Sequence, residues 1–223
     1  MSQLDQGAAP SARAADGTGP GRLQADDLPG SERYGEVPRR LLLSAAACFA
    51  ANGFHGTTTR HIAAGAGLSP AALYVHFPSK ELALYEVVRL GHEHARSILT
   101  GPDVEALADP GERLAEIVSR YTRFHARHHV VARVCQYDLG ALAPEHYAEV
   151  LRIRQATNEV FRVAVASGVD SGAFRADVDV RRVSRALISL AIDLVRWYRP
   201  EGPESPEQLG EFNAGLALRL VTA

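Results

Sequence analysis

The chain has 223 residues, 46% hydrophobic and 22% charged, with a net charge of −2, enough for one large globular domain or for a small one plus a medium one. No run of about 18 uncharged apolar residues occurs, which argues against a membrane span, and no basic-then-apolar leader opens the chain, so a cytoplasmic protein is expected. Cys48 and Cys135 stand far apart, outside any CxxC or CxxH spacing, and read as structural thiols of a reducing compartment.

Charge is unevenly spread. Between positions 37 and 82 it comprises Arg39, Arg40, Arg60 and Lys80 against Glu81 alone, a balance of +3 that leaves −5 for the rest. A basic segment on an acidic body suits a protein that meets phosphates at one end. Residues 1–34 are rich in Gly, Ala, Ser, Pro and Asp. They read as a disordered tail, because so little apolar surface cannot offset chain entropy. Its Arg13, Arg22 and Arg33 are either solvated or brush DNA phosphates; solvation is the expectation.

Helical periodicity then begins. Leu42, Ala45, Ala46 and Phe49 mark one buried face of a helix that stops at Asn52-Gly53. A short second helix opens at Thr57, Thr58 and Thr59, whose hydroxyls suit a cap; it buries Ile62, Ala63 and Ala66 and breaks at Gly67. Ser69-Pro70 opens a third helix with Leu73 and Phe77 inward. Pro78-Ser79 ends it and caps a long fourth helix running from Lys80 towards Leu99. Leu114, Ile117, Val118, Tyr121 and Phe124 form the next stripe, after Asp109-Pro110-Gly111. An apolar stretch follows from Val130 to Leu139, then a helix from Pro144 to Gly168. Val183, Leu187, Leu190, Leu194 and Trp197 make another stripe, and Leu209, Phe212, Leu216 and Leu220 the last. No period-2 alternation appears. The predicted fold is all-α, about nine helices, with a three-helix helix-turn-helix head at 35–81 and a larger helical body at 82–223.

Two short helices joined by a Gly-containing turn are a DNA-reading geometry, but also a common way to pack helices. The residues around them decide the matter. Ala45-Ala46 with Phe49, Gly53-Phe54, Thr57-Thr58-Thr59, Ile62-Ala63 with Ala66-Gly67, Leu73-Tyr74, His76-Phe77 and Ser79-Lys80-Glu81-Leu82 follow one another without insertion. This stretch, 39–82, resembles the N-terminal domain of the tetracycline-repressor (TetR) family. The resemblance implies phosphate contacts from Thr57, Thr58, Thr59, Tyr74, His76 and Lys80, all hydrogen-bond donors to phosphate oxygens. It also implies a base contact from Arg60, whose guanidinium suits guanine O6 and N7. The reading helix offers Ser69, Pro70, Ala71, Ala72 and Val75; many relatives have Gly where Ala71 stands. With so few polar side chains there, readout is expected to rest on thymine methyl contacts and on Arg60.

One short reading helix covers one half-site, so a homodimer on a palindromic double-stranded operator is expected. Relatives dimerise through the last two helices, which points to Leu187, Leu190, Ala191, Leu194, Leu209, Phe212, Leu216 and Leu220. Candidate liners of an effector pocket are Tyr121, Phe124, His128, Val131, Cys135, Arg154, Asn158, Phe161, Arg196 and Trp197: mostly apolar, with a few orienting polar groups. Arg154 and Arg196 invite an anionic partner, although Asp193 lies three residues before Arg196. The stretch Arg196-Trp197-Tyr198-Arg199-Pro200, with Gly202-Pro203 and Ser205-Pro206-Glu207, resembles an actinobacterial subgroup that answers to acyl-CoA thioesters. A hydrophobic drug or another metabolite is the alternative effector. His125, His128 and His129 have metal-compatible spacing, but Arg123, Arg127 and Arg133 repel a cation and no carboxylate or thiolate joins them. No metal, cofactor or catalytic function is expected, and neither a nucleophile–base motif nor a phosphate loop occurs. A metal-dependent helical enzyme and a DNA-packaging protein are the rival readings.

Overall fold

The structure is a computed structural model that describes residues 23–222. Among these there is no strand, and nine helices of seven residues or longer alternate with shorter turns. Arg13 and Arg22 lie outside the described residues.

Helix α1 (Glu36–Gly56) buries Leu41, Leu42, Ala45, Ala46 and Phe49. Its regular part ends where expected, at Gly53, whose φ of 67° is a left-handed conformation that glycine adopts without steric cost. Helix α2 (Thr59–Gly65) starts on a reciprocal cap: Thr58 Oγ1 accepts the His61 N–H at 3.1 Å, and His61 Nδ1 accepts the Thr58 N–H. Gly67, at φ 66°, turns the chain into α3 (Pro70–His76). Helix α4 (Lys80–Ser97) is capped by Ser79, whose Oγ accepts the Leu82 N–H. The body continues with a single turn, α5 (Pro102–Glu105), then α6 (Pro110–Arg127), α7 (His129–Tyr137) and the long α8 (Pro144–Asp170). It closes with α9 (Val180–Ile192), the short α10 (Leu194–Trp197) and α11 (Pro206–Val221).

Two cores organise these helices. The first runs without a break from Leu42, Phe49, Ile62 and Leu73 in the head, through Leu84 and Val88 of α4, to Val134 of α7 and Val150 of α8. Head and front of the body are therefore packed as one unit. The second lies among α4, α6, α8, α9 and α11, and includes Leu114, Tyr121, Phe161 and Leu187. There α11 lies close against α6: a Cβ on Gly210 would stand 3.1 Å from the Ser119 carbonyl oxygen, and Asn213 Nδ2 donates to Thr122 Oγ1 in a buried pair.

The tail expectation requires a correction at its C-terminal end. Residues 25–27 and 31–33 form short 3-10 turns, and Leu28 is fully buried in the first core. Arg33 bonds Glu93 at 3.0 Å, while Tyr34 donates to Glu86, which Arg89 also grips. One leucine anchor and this ion-pair network, invisible to composition, hold residues 23–34 against α4.

Candidate nucleic-acid interface and effector cavity

In α3, Leu73 and Phe77 point into the core. The opposite face is thereby turned outward: Pro70, Ala71, Tyr74, Val75 and His76 are exposed, Val75 most of all at 78%. The Ser69 hydroxyl makes no cap bond and stays exposed beside Pro70. Helix α2 adds the exposed Thr58, Arg60 and His61 and the half-buried Thr59, whose hydroxyl lies 3.3 Å from the Tyr74 phenol oxygen. The surface thus joins a helix start, several hydroxyls, a phenol, imidazoles and a free guanidinium to small apolar groups. Such a set contacts phosphate with its donors and thymine methyls with its apolar groups. Ala72, half-buried, sits behind this face.

Two expected phosphate ligands are bonded to backbone carbonyls at the end of α1. Thr57 is 1% exposed, and its hydroxyl lies 2.8 Å from the Gly53 carbonyl oxygen and 3.0 Å from that of Cys48. It satisfies carbonyls orphaned at the end of α1. Lys80 donates to the Phe54 and Thr57 carbonyls at 2.6 and 2.7 Å, with its ammonium 4.0 Å from the Phe54 ring centroid. Sequence pattern places both residues at the right element but cannot show that backbone carbonyls have taken the Thr57 hydroxyl and two of the three Lys80 N–H groups. His61 is the exposed donor the pattern did not single out; its place one turn into a Thr-capped helix was the available signal.

Further bonds weld the head to the body. The Asp138 carboxylate, at the end of α7, accepts the Phe54 N–H at 2.9 Å. Glu81, in the first turn of α4, accepts from the Ala143 N–H and from His146 Nδ1, both at 2.9 Å. His146 in turn stacks on Tyr85, with ring centroids 3.9 Å apart.

Of the expected pocket residues, Tyr121, Cys135, Arg154 and Asn158 line one cavity between α4, α6, α7, α8 and α9. His92 and His125 join them there. Burial lowers His92 to about 3 and His125 to about 4, and raises Tyr121 and Cys135 to about 12, so all four are neutral near pH 7. His125 Nδ1 donates to the Tyr121 carbonyl. The cavity measures about 30 Å³, above the roughly 10–15 Å³ one water requires and far below the roughly 300–1,000 Å³ of a drug-sized pocket.

The remaining expected liners lie elsewhere. Val131 is core, 2.9 Å from where a Cβ on Gly91 would stand, and Phe161 is fully buried edge-on to Tyr121. Phe124 and His128 face a separate recess with His94 and Arg120, Arg123 and Arg127. Arg196 pairs with Asp193 on the surface, and Trp197 is half-exposed. His125, His128 and His129 do not converge: His128 packs on Phe124 and His94, and His129 on Tyr198.

The dimer stripe also needs revision. Leu187, Ala191, Leu194 and Leu209 are buried within the protomer: the first two join Ala217 and Val221 of α11 in the second core, and the last two pack with Ala126 of α6 and Tyr198. Leu190 and Leu216 are half-buried; Phe212 is 59% and Leu220 42% exposed. The free apolar face runs along Phe212, Leu216 and Leu220, one turn apart on α11.

A helix-turn-helix head on a helical body with an internal polar cavity defines a DNA-binding regulator. The chain belongs to the tetR family of bacterial regulatory proteins: the model of that name matches residues 41–86, and the tetracyclin repressor-like C-terminal domain matches residues 107–221. The HTH-type transcriptional repressor KstR2 of Mycobacterium tuberculosis is 34% identical over 82% of this chain and 91% of its own length. A bacterial regulatory protein of the tetR family from Rhodococcus RHA1 superposes with a TM-score of 0.79 at 35% identity, covering 85% of this chain and 99% of that one. AibR, solved with isovaleryl coenzyme A and operator DNA, shares the fold (TM-score 0.73, 22% identity, 81% and 97% coverage).

Proposed function

We propose that the protein is a cytoplasmic, non-enzymatic, homodimeric repressor that leaves a palindromic operator when an acyl-CoA or similar hydrophobic effector enters the body. The carrying observation is the outward face of α3, Ser69 to His76, supported from behind by Leu73 and Phe77 and flanked by Thr59 and Arg60. A backing of buried apolar residues leaves that face no role inside its own protomer. Repression follows the relatives named as transcriptional repressors, and the effector class follows the acyl-coenzyme A held by a protein of the same fold. Among the described residues no helix is long and apolar enough to cross a membrane.

Dimerisation is supported by the Phe212–Leu216–Leu220 row, whose burial against a second copy would place two heads side by side. Two reading helices about 34–36 Å apart meet successive major grooves on one side of the duplex. The effector acts by favouring a body arrangement that misplaces the heads; only such a difference in affinity between the two arrangements releases DNA. Helix α4 is the connecting element, since its first turn holds the head through Lys80 and its C-terminal end packs Ala95 into the second core, with Leu99 just beyond it.

The test is selection of bound duplexes from a random pool, followed by footprinting on the enriched sequence. An inverted repeat with half-sites about one helical turn apart is the expected result. Enrichment of no sequence, or coverage spreading along the duplex, would favour the packaging alternative.

A further inference from the structure

In a reciprocal helix cap each of two side chains accepts the other residue's backbone N–H, and the second member is ordinarily Glu or Gln. Helix α2 departs from that rule. Its cap pairs Thr58 with His61: Thr58 Oγ1 accepts the His61 N–H at 3.1 Å, and His61 Nδ1 accepts the Thr58 N–H at 3.3 Å. An imidazole that accepts through Nδ1 carries its hydrogen on Nε2, across the ring from the cap. A hydroxyl that accepts likewise keeps its own O–H hydrogen to give. Both residues are exposed, and among the described residues neither hydrogen has an acceptor. The two backbone N–H groups, by contrast, are satisfied by the cap itself. What this end of α2 turns outward is a pair of side-chain donors.

The setting selects what those donors meet. Helices α2 and α3 contain no Asp or Glu. Glu81, the one carboxylate between positions 37 and 82, is bonded to the Ala143 N–H and to His146. Between Thr58 and His61 in the chain stand the exposed Arg60 and Thr59, whose hydroxyl lies 3.3 Å from the Tyr74 phenol oxygen on the outward face of α3. The pair therefore borders the surface that meets DNA. A glutamate in the cap would hold a negative charge there; the imidazole makes the same cap bond and adds a donor. Because the cap orders the ring beforehand, binding an anion through Nε2 costs little further side-chain freedom.

We propose that His61 is a further operator contact, its Nε2–H donating to a non-bridging oxygen of a backbone phosphate, with the Thr58 hydroxyl donating beside it. The inference rests on the reading of the head as a sequence-specific DNA binder and deepens it. Arg60 reads a base edge; His61, next to it, grips the backbone and carries no base preference. Its part is to fix the register of α2 along the duplex, through a ring whose direction the Thr58 cap has set. No proton changes hands: the hydrogen stays on Nε2 and the phosphate oxygen accepts.

The test uses the full-length protein and the duplex enriched by selection. Each operator phosphate in turn is replaced by methylphosphonate, which removes its charge and one non-bridging oxygen. Wild-type affinity is expected to fall about tenfold or more at the one phosphate of each half-site that His61 holds, as for a hydrogen bond to a charged group. His61→Ala is expected to lose about as much on the unmodified duplex, and to lose most of its sensitivity to methylphosphonate at that phosphate alone. His61→Gln keeps an acceptor for the cap and an N–H to turn outward, and should restore the wild-type profile. Profiles of wild type and His61→Ala that match at every phosphate overturn the proposal, because a lost cap by itself weakens binding without singling out a phosphate. Should His61→Ala not fold, NMR of the wild-type protein with labelled histidine rings decides. A hydrogen on Nε2 of His61 whose signal moves on addition of duplex is expected; a hydrogen on Nδ1, or a signal the duplex leaves in place, overturns the contact. A pool that enriches no sequence removes the regulator reading. The same ring measurement on a mixed-sequence duplex then decides the phosphate contact, which needs no particular base.

Discussion

The N–H of Phe54 donates to Oδ1 of Asp138 at 2.9 Å, joining residues 84 positions apart. One belongs to the reading head and the other to the end of α7 in the body. Together with the Lys80 clamp on the Phe54 and Thr57 carbonyls, this bond makes the corner after Gly53 a fixed joint. The head cannot swing freely about a hinge. It moves when α4 and α7 move, which is the condition for a signal from the body to reach DNA.

Lys80 is accordingly a stability residue. Lys80→Met leaves two carbonyls without their charged donor, and hydrogen bonds to charged groups are each worth about 1.5–3 kcal/mol. Because Lys80 is only half-buried and water takes over part of the bonding to the two carbonyls, urea unfolding of the variant is expected to show a loss of about 2–3 kcal/mol. The slope of operator affinity against salt is expected to stay unchanged within error, because no phosphate neutralisation is lost. A slope shallower by about one counter-ion, with stability intact, would restore Lys80 to the phosphate-binding set.

Arg60 is exposed at the start of α2, free for a base edge. Competition titrations with operator variants should show that Arg60→Ala loses about 1–3 kcal/mol of discrimination at one G·C pair per half-site. Ser69→Ala, at the start of α3, should weaken all sequences alike. Indistinguishable profiles for the two variants would contradict this division.

Phe212 is the most exposed residue of the α11 row. Phe212→Asp places a charge where a second copy would bury an apolar ring, so light scattering should find monomer at micromolar concentration. Operator affinity should fall with it, since a single head spans one half-site. Unchanged dimerisation would move the interface elsewhere.

Five histidines, His92, His94, His125, His128 and His129, are held below their usual range chiefly by burial. The unfolded chain, near the ordinary 6.5, binds protons that the folded one refuses. Stability is therefore complete above pH 6.5 and falls as pH drops towards about 4. Urea unfolding at pH 7.5, 6 and 5 should show the decline, and the double variant His92→Gln, His125→Gln should flatten it. An equal decline in the double variant would assign the effect to other groups.

The sequence by itself determined the helices, their breaks at Gly53, Gly67 and Pro78, and the head's chemistry. Each of these depends on residues adjacent in the chain: a cap, a left-handed glycine, or an apolar residue returning every three or four positions. Tertiary structure alone decided which donors remain free and which apolar stripe stays uncovered. Thr57 and Lys80 look like phosphate ligands until the end of α1 takes their hydrogen bonds. Leu187 and Leu194 look like an interface until α11 settles on α6, and Leu28 looks like tail until it enters the head core. His92 carries no local signal, and only the crossing of α4, α7 and α8 encloses it beside Arg154. Periodicity reports which face of a helix is apolar; what that face meets is set by contacts between segments far apart in the chain.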